Sequence, residues 1–239
     1  MSIAYRRVIL KLSGEALAGS QGYGIDPAIM GRIAGEIGQI ADKGVSLGVV
    51  VGGGNLFRGA WLEKQGTDRV VGDHMGMLAT VMNGLALGEA LKARGVNATV
   101  LSATPIPEVC ESFTQRTALA AMERPGVTVF VAGIGNPFLT TDTTAAMRAA
   151  EMSADVIVKA TNVDGVYTAD PRKDPMARRY DRISFDEVIA KGLAVMDTAA
   201  FALARDNRIP IIIFSIHEPG ALQAVLEGTG VYTLVDPGA

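Results

Sequence analysis

The sequence predicts an α/β protein with a mostly parallel central sheet covered by helices on both faces. Short runs rich in Val and Ile alternate with longer segments of helical periodicity, as expected of βα units. The runs are apolar along their whole length, which indicates strands that are buried on both faces. The predicted strands are Val8 to Leu12, Val45 to Val51, Ala98 to Leu101, Val127 to Ala132, Val156 to Ala160, Pro210 to Phe214 and Val231 to Val235.

Helix signals fall between these strands. N-cap residues, a capping-box pattern and terminating glycines mark the helix ends. The helices are predicted from Asp26-Pro27 to Gly44, from near Asp73 to Gly95, and from Ser184 to Gly192. No repeat or linker interrupts the chain, so we predict a single domain over residues 1–239. A soft division near residue 150 separates a lobe of residues 1–150 from a lobe of residues 151–239.

Composition and charge narrow the function classes. The 239 residues contain 22 Lys and Arg against 25 Asp and Glu, a net charge of −3, which excludes a polybasic nucleic-acid binder. One Cys and two His residues cannot form an intramolecular disulfide or a Cys/His zinc cluster. The first residues do not form a signal peptide, and no apolar run has the length of a membrane span. We therefore expect a cytoplasmic protein with no membrane partner and no need of nucleic acid.

Two loops that follow predicted strands have the composition of anion-binding sites. Their position is relevant because parallel sheets bind ligands beyond the carboxyl ends of their strands. Lys11 stands at the end of the first strand, where a buried ammonium is costly unless an anion pairs with it. A solvated strand end is the alternative. Gly52, Gly53 and Gly54 follow the second strand and allow backbone N–H groups to approach a phosphate closely. An ordinary tight turn is the alternative, although the nearby Arg58 favours a phosphate.

Two further loops support the same interpretation. The segment from Gly133 to Asp142 ends in Thr-Thr-Asp at a predicted helix start, which suits an anionic ligand or serves as a simple cap. The segment from Lys159 to Arg182 exceeds the usual length of a βα connection, which is typical of binding loops and lids. Two glycine-rich loops and lysines at strand ends together predict two phosphate-bearing ligands that face each other, a geometry suited to phosphoryl transfer.

Several enzyme classes are excluded by missing motifs. The sequence has no G-x-x-x-x-G-K-[ST], H-R-D or D-F-G, so it is neither a P-loop kinase nor a protein kinase. It lacks G-x-G-x-x-G after the first strand, which disfavours a dinucleotide-dependent dehydrogenase. H-E-x-x-H, a nucleophile elbow and a Cys/His pair are also missing, so nothing in the sequence indicates hydrolysis.

Six motifs in order identify a family. They are K-L-S-G-E from Lys11, V-V-G-G-G-N-L-F-R-G ending at Gly59, G-D-H-M-G-M-L-A-T from Gly72, G-N-P-F from Gly135, T-T-D from Thr140 and V-D-G-V-Y-T-A-D-P from Val163. Over essentially its full length the chain resembles the bacterial UMP kinases (uridylate kinases) of the amino acid kinase superfamily. The resemblance implies a three-layer αβα fold and transfer of the ATP γ-phosphoryl group to UMP in pyrimidine nucleotide synthesis.

The resemblance also assigns roles to residues. The ATP side would comprise Lys11, Leu12, Ser13, Gly14, Gly54, Arg58, Thr161, Tyr167 and Asp170. The UMP side would comprise Gly53, Asp73, Ile134, Gly135, Asn136, Pro137, Phe138, Leu139, Thr140 and Thr141. Catalytic charge would come from Lys11, Arg58, Lys159, Asp155 and Asp197. For Asp73 the alternative is a helix cap, and for Lys159, Asp155 and Asp197 it is a paired charge or a cap.

Cofactor, effectors and assembly follow from the resemblance as well. Mg²⁺ would arrive with ATP, because no carboxylate cluster in the sequence suggests a dedicated metal site. GTP would activate through Gly19, Ser20, Gln21, Gly22, Tyr23 and Gly24, and UTP would inhibit. The helix from Met75 to Leu91 is apolar around its circumference, which favours a two-fold contact with a second subunit over full burial in the monomer. The resemblance extends this contact to a homohexamer, a trimer of such dimers.

One residue departs from the family pattern, and two rival functions stay open. Ile134 stands where the family motif commonly has threonine, so a side-chain hydroxyl is missing while backbone contacts to the nucleotide survive. A related kinase acting on a carboxylate or carbamate would lack the G-D-H-M-G-M helix start. A nucleotide-sensing protein would bind UTP or GTP without forming UDP from ATP and UMP.

Overall fold

The computed structural model describes residues 3–57, 66–171 and 173–238, and nine strands of this part form one sheet. The order across the sheet is β4-β3-β5-β2-β1-β6-β8-β9-β7. The strands are β1 (Arg7–Leu12), β2 (Ser46–Val51), β3 (Ala98–Ser102), β4 (Glu111–Ser112), β5 (Val127–Val131), β6 (Val156–Thr161), β7 (Arg182–Ser184), β8 (Ile211–Ser215) and β9 (Tyr232–Asp236). All neighbouring strands are parallel except β8 and β9.

Seven α-helices lie within the described residues. They are α1 (Pro27–Asp42), α2 (Arg69–Lys92), α3 (Gln115–Met122), α4 (Thr141–Glu151), α5 (Phe185–Ala190), α6 (Thr198–Asp206) and α7 (Ala221–Leu226). Two short 3₁₀ turns, Gly14–Leu17 and Gly19–Gln21, follow β1. In the described part of the chain, no helix is both long enough and apolar enough to cross a membrane.

The helices form a layer on each face of the sheet. Leu10 of β1 packs with α1, α2 and α7 in one core cluster, whereas Ile9 packs with α3, α4, α5 and α6 in the other. Neighbouring residues of one strand thus enter different cores, because side chains alternate between the faces of a sheet. The predicted three-layer αβα fold is confirmed.

The strand order places a crevice beside β1. Strand β2 continues the sheet on one side of β1, and β6 lies on the other side, so the direction of the connections reverses between β1 and β6. Ligands of open parallel sheets bind at such a reversal, beyond the carboxyl ends of the strands. Lys11 and Lys159 lie there, paired in register on β1 and β6.

The predicted elements agree closely with the structure, with two kinds of exception. All seven predicted strands are present, each end within one residue of its predicted position. The short strands β4 and β7 carry too few residues for a pattern and were not predicted. Helix α2 begins at Arg69 rather than near Asp73, because Asp68 is its N-cap and accepts from the amides of Val70 and Val71. The predicted caps Asp26 and Ser184 are confirmed.

Candidate active site

Two lysines and one aspartate meet at the carboxyl edge of the central strands. Lys11 Nζ lies 2.9 Å from Asp142 Oδ1, and Lys159 Nζ donates to Asp142 Oδ2 at 2.6 Å. Lys159 also donates to the carbonyl of Val195 at 2.5 Å. The three charged residues, which we call the lysine cluster, are each at most 9% exposed. Two ammonium groups against one carboxylate leave a buried excess of positive charge, which an anionic ligand would balance.

The cluster changes the protonation of its members. Burial and the nearby charge of Lys11 lower the pKa of Lys159 to about 8, against the attraction of Asp142 and Asp197. Burial alone would raise the pKa of Asp142, but the two lysines outweigh it and lower that pKa. The carboxylate is therefore ionised at neutral pH, and Lys159 is the group whose charge depends on pH near 8.

Two helix starts bring the acidic residues to this edge. Thr140 caps α4 and accepts from the amide of Asp142 at 3.0 Å, which fixes the aspartate in the first turn. Asp197 caps α6, accepting from the amide of Ala200 at 2.7 Å, and also accepts from the hydroxyls of Thr143 and Thr140. Asp197 therefore ties α6 to the start of α4, immediately beside the lysine cluster.

A narrow cleft of about 260 Å³ opens on one side of the cluster. Its lining includes seven residues that the sequence assigned to nucleotide binding, six of them to UMP, whereas Gly54 was assigned to ATP. These are Gly53, Gly54, Asp73, Asn136, Leu139, Thr140 and Thr141. The remaining lining residues are Phe57, Arg69, Gly72, Gly76, Met77, Thr80 and Gly133. Thr141, which directly precedes Asp142, is the lining residue nearest in the chain to the lysine cluster.

Asp73 stands in the wall of the narrow cleft. Its two oxygens each lie 3.0 Å from Arg69 Nε, and Oδ2 also accepts from the amide of Phe138 at 2.7 Å. Since Asp68 is the N-cap of α2, the helix-cap alternative for Asp73 is wrong. The carboxylate instead joins α2 to the loop that precedes α4.

The glycine loop after β2 is packed closely against its neighbours. A Cβ atom on Gly14 would lie 2.7 Å from both the Gly52 carbonyl oxygen and the Gly54 nitrogen. A Cβ atom on Gly53 would lie 2.7 Å from the Gly76 carbonyl oxygen of α2. These distances are too short for any side chain, so close packing alone requires glycine at these positions. The same packing aligns the Gly53-Gly54 backbone along the narrow cleft.

The loop after β5 turns sharply into the narrow cleft. Ala132 and Gly133 adopt left-handed backbone conformations, with φ of 59° and 58°. Thr80 holds this turn by accepting from the amide of Ala132 at 2.7 Å, and Arg148 donates to the Gly133 carbonyl at 3.3 Å. Four predicted UMP residues in this loop do not line the cleft: Ile134, Gly135, Pro137 and Phe138.

A second, wider cleft has a volume of about 480 Å³ and is lined by residues of the loop after β6 and of the segment before α6. Its lining includes Thr161, Tyr167 and Asp170, the three residues that the sequence assigned to the adenosine side. Val163, Gly165, Ala169, Pro171 and residues 192–195 complete it. The Tyr167 hydroxyl donates to Asp164 at 2.7 Å, and that hydrogen bond, together with burial and the charge of Asp164, raises the pKa of Tyr167. Because Val195 accepts from Lys159, the wide cleft also reaches the lysine cluster.

Two predicted site residues fall elsewhere, and a third is not among the described residues. Asp155 precedes β6 and accepts from the amides of Arg6 and Arg7 at 2.6 and 2.8 Å, at the amino edge of the sheet, so its catalytic assignment is wrong. The Leu12 side chain is fully buried in the core, and its carbonyl accepts from the amide of Gly52, so the side chain makes no contribution to a cleft. Arg58 lies outside the described residues.

Other predicted residues lie at the edges of the site. Ser13 continues β1 toward β6, its amide 3.4 Å from the Ala160 carbonyl oxygen. The segment Gly19–Gly24 runs along the surface after β1, with the Tyr23 side chain 65% exposed. Its end pairs with the glycine loop, because the amide of Gly24 donates to the Asn55 carbonyl at 3.0 Å.

Sequence reasoning missed the role of Asp142 and of Arg69. The sequence interprets Asp142 as part of an anion-binding helix start or as a cap, whereas the structure places its carboxylate between two buried lysines on neighbouring parallel strands. No pattern in the sequence indicated that Arg69 pairs with Asp73, because the helix was expected to begin near Asp73 and therefore after Arg69. In the described part of the chain, no group of three or more His, Cys, Asp or Glu residues is arranged to hold a metal ion.

Comparison with known proteins gives one consistent result. Residues 6–215 match the model of the amino acid kinase family. The uridylate kinase of Chelativorans sp. (strain BNC1) is 59% identical over 236 residues, covering 99% of this chain and 96% of that protein. The UMP kinase structure from Bacillus anthracis superposes with a TM-score of 0.95 at 37% identity, covering 98% of this chain and 97% of that chain. The UMP kinase structure from Ureaplasma parvum gives 0.93 at 39% identity, with 97% and 98% covered.

Proposed function

This chain belongs to the amino acid kinase family and, within it, to the uridylate kinases, and we propose that it transfers the γ-phosphoryl group of ATP to UMP, forming UDP and ADP. One observation carries the proposal: the buried lysine cluster is joined to two clefts, to one through Thr140 and Thr141 at the start of α4 and to the other through the Val195 carbonyl that accepts from Lys159. A fixed excess of positive charge at the meeting point of two ligand sites suits the transfer of an anionic group between them.

We assign UMP to the narrow cleft and ATP to the wide cleft. The narrow cleft contains Asp73, which the family resemblance assigns to the ribose, together with the glycine loop for the phosphate. The wide cleft contains Thr161, Tyr167 and Asp170 for the adenosine. Its volume of about 480 Å³ against about 260 Å³ agrees with the larger nucleotide. The lining residues fall within 53–141 and 161–195, which supports lobes divided near residue 150.

The proposed mechanism is direct transfer without a covalent enzyme intermediate. The phosphate of UMP is largely deprotonated at pH 7, because the second pKa of a phosphate ester is about 6, so its oxygen needs no general base. That oxygen forms a bond to the γ-phosphorus, and the bond to the ADP oxygen breaks. Lys11 and Lys159 would stabilise the negative charge on the transferred oxygens, and Asp142 holds both ammonium groups in place.

We expect Mg²⁺ to enter as part of the ATP substrate. Both oxygens of Asp142 already face lysines, at 2.9 and 2.6 Å, so this buried carboxylate is not arranged as a metal ligand. The phosphate oxygens of ATP are the hard ligands that Mg²⁺ prefers, and kinases commonly bind the ion through them.

A coupled kinase assay tests the proposed function. ATP would be supplied with UMP, CMP, dTMP, carbamate or acidic amino acids in turn, and UMP is expected to give the highest kcat/KM. The CMP and dTMP arms, repeated with Ile134→Thr, also measure how far Ile134 affects uracil selectivity. Preferred phosphorylation of a carboxylate or carbamate would overturn the acceptor. Saturable binding of uridine nucleotides without any UDP would instead favour a nucleotide-sensing protein.

We further propose that α2 forms a two-fold contact with a second copy of this chain, and that three such dimers make a hexamer, as the family resemblance implies. The side chains of Val71, Leu78 and Met82 are 50%, 54% and 54% exposed on one stripe of this helix. Met75 and Leu85 lie half-buried on the same stripe, at alternating spacings of four and three residues.

Light scattering at micromolar concentration tests this assembly. The wild type is expected to show no stable monomer, whereas the double variant Leu78→Glu, Met82→Glu should dissociate. Met176→Glu is the matched control, because this methionine is 73% exposed but lies outside α2. A monodisperse wild-type monomer with full activity would overturn both the dimer and the hexamer.

Control by GTP and UTP is a prediction from the family resemblance. The cytoplasmic location is a prediction from the sequence and the resemblance. For GTP, the segment Gly19–Gly24 has a physical connection to the site, since Gly24 pairs with Asn55 beside the glycine loop. Titration with GTP should change the velocity or the UMP saturation curve, and UTP should lower the velocity. If GTP alters neither, activation through this segment is wrong.

A further inference from the structure

Two buried asparagines behind the glycine loop form a reciprocal pair. Asn55 Nδ2 donates to Asn83 Oδ1 at 3.1 Å, and Asn83 Nδ2 donates to Asn55 Oδ1 at 2.7 Å. Asn55 is 1% exposed and Asn83 is fully buried in the middle of α2. Neither residue lines either cleft, so neither is placed to contact a substrate.

Each amide also holds one backbone carbonyl. Asn83 Nδ2 donates to the carbonyl of Gly52 at 2.7 Å, and Asn55 Nδ2 donates to the carbonyl of Gly24 at 2.7 Å. Each amide group therefore donates twice, so the donor capacity of both side chains is used. A buried amide is costly unless it is satisfied, and a fully satisfied network selects one local geometry over its alternatives.

The hydrogen bond to Gly52 completes the attachment of the glycine loop at its base. The amide of Gly52 donates to the Leu12 carbonyl at 2.9 Å, so this residue is held through both its amide and its carbonyl. Gly53 and Gly54 follow directly and line the narrow cleft. The orientation of their peptide groups consequently depends on the plane of the Gly52 carbonyl, which Asn83 sets.

We propose that Asn55 and Asn83 are positioning residues for phosphoryl transfer: the pair fixes the Gly52 carbonyl and thereby aligns the Gly53-Gly54 backbone with the transferred phosphate. This inference rests on the proposed function. It predicts that disturbing the pair lowers kcat, because a misaligned loop still binds the nucleotides but no longer matches the transition state.

Asn83→Asp is the sharpest variant, because it keeps the shape and replaces the donor toward Gly52 by an oxygen. An ionised carboxylate oxygen there would face two other acceptors, the backbone carbonyl of Gly52 and the side-chain Oδ1 of Asn55, with no proton between them. Protonation of the new acid at low pH restores one donor. Asn55→Asp likewise replaces the donor of the hydrogen bond to the Gly24 carbonyl by an oxygen. Thr128→Val is the matched control, a nearly isosteric change of a residue that is 1% exposed in β5.

The experiment measures kcat and both KM values at 20 °C, with thermal unfolding of each variant recorded in parallel. For Asn83→Asp we expect kcat at pH 8 to fall at least tenfold while both KM values stay within threefold. Lowering the pH to 6 should recover part of that loss relative to the wild type. Thr128→Val should keep the wild-type kcat at both pH values.

The outcomes separate the inference from the proposed function. If the wild type forms no UDP, the proposed function fails. If the wild type is active and folded Asn83→Asp keeps its kcat, with only its unfolding temperature lowered, the pair is merely structural and the inference is overturned. If Asn83→Asp does not fold, Asn55→Ser is measured instead. A wild-type kcat in Asn55→Ser would also overturn the inference.

Discussion

The narrow and wide clefts are built in different ways, although residues of both adjoin the same lysine cluster: Thr141 precedes Asp142, and Val195 accepts from Lys159. The narrow cleft is enclosed by backbone that side chains hold from behind: Thr80 holds Ala132, and Asn83 holds Gly52. The wide cleft is nearly twice as large and is lined mainly by small and apolar residues of residues 161–171 and 192–195. The backbone of the narrow cleft is held in place by side-chain hydrogen bonds, whereas the wide cleft offers a larger, mainly apolar surface.

This difference matches what each ligand requires. A phosphate acceptor must be held within a few tenths of an ångström of its attacking position, which fixed backbone groups can provide. An adenosine contributes binding area, which apolar surface provides without strict geometry. Changes in the lysine cluster should therefore affect the chemistry, changes in the narrow cleft should affect one substrate, and changes at the rim of the wide cleft should have little effect.

The largest effect is expected from Lys11→Ala, which removes one of the two buried ammonium groups of the lysine cluster. We expect kcat to fall about 10²-fold or more, since a preorganised cation at developing negative charge typically contributes about 3–4 kcal/mol. Steady-state kinetics with both substrates would measure it, and Lys43→Ala, at an exposed surface pair, is the control. A normal kcat with only altered KM values would remove Lys11 from transition-state stabilisation.

The charge of Lys159 should give the activity a basic limb. Its pKa is about 8 in the folded protein, below the ordinary value of 10.5, so the ammonium loses its proton as the pH rises through 8. We expect kcat/KM to fall about tenfold for each pH unit above that value. Lys159→Arg keeps its charge throughout this range and should abolish the decline. A decline that persists in this variant would point to another group.

Asp73→Asn should discriminate between the two clefts. We expect the KM for UMP to rise about tenfold, equivalent to about 1.4 kcal/mol, while the KM for ATP changes less than twofold. Asp68→Asn is the matched control on the same helix: it changes the charge equally but keeps a good N-cap outside the cleft. Equal effects on both substrates would contradict the assignment of UMP to the narrow cleft.

Tyr167→Phe probes the wide cleft. Its hydroxyl donates to Asp164, within the same loop, so removing it should alter local order more than nucleotide contact. We expect the KM for ATP to rise no more than about threefold, at the level of one exposed hydrogen bond. A tenfold or greater rise would show that this cleft is as strictly built as the narrow one.

Asp155→Ala gives the baseline for a charge outside both clefts. The carboxylate accepts from the amides of Arg6 and Arg7, where the chain enters β1, so its loss should lower the Tm by about 2–4 °C. The kcat and both KM values should equal those of the wild type. A large fall in kcat measured well below the Tm would return Asp155 to the catalytic residues.

The sequence by itself determined the layers, the strands and the sheet edge at which the candidate site lies. Apolar runs separated by helical periodicity define buried parallel strands wherever such runs are long enough, which is why only β4 and β7 escaped prediction. Lysines and glycines at the carboxyl ends of strands indicated the edge where the clefts lie. These are local patterns, and they follow from the chemistry of a few neighbouring residues.

Only the tertiary structure decided which charges meet. Asp142 lies in the first turn of α4, and Asp155 directly precedes β6. Asp142 nevertheless joins two lysines at the carboxyl edge of the sheet, whereas Asp155 accepts from backbone amides at the amino edge. Likewise, Asn55 and Asn83 lie 28 residues apart, and no local pattern indicates that their amides pair. Such contacts depend on strand order, on register and on which face each helix covers, and these are set by the packing of the whole chain.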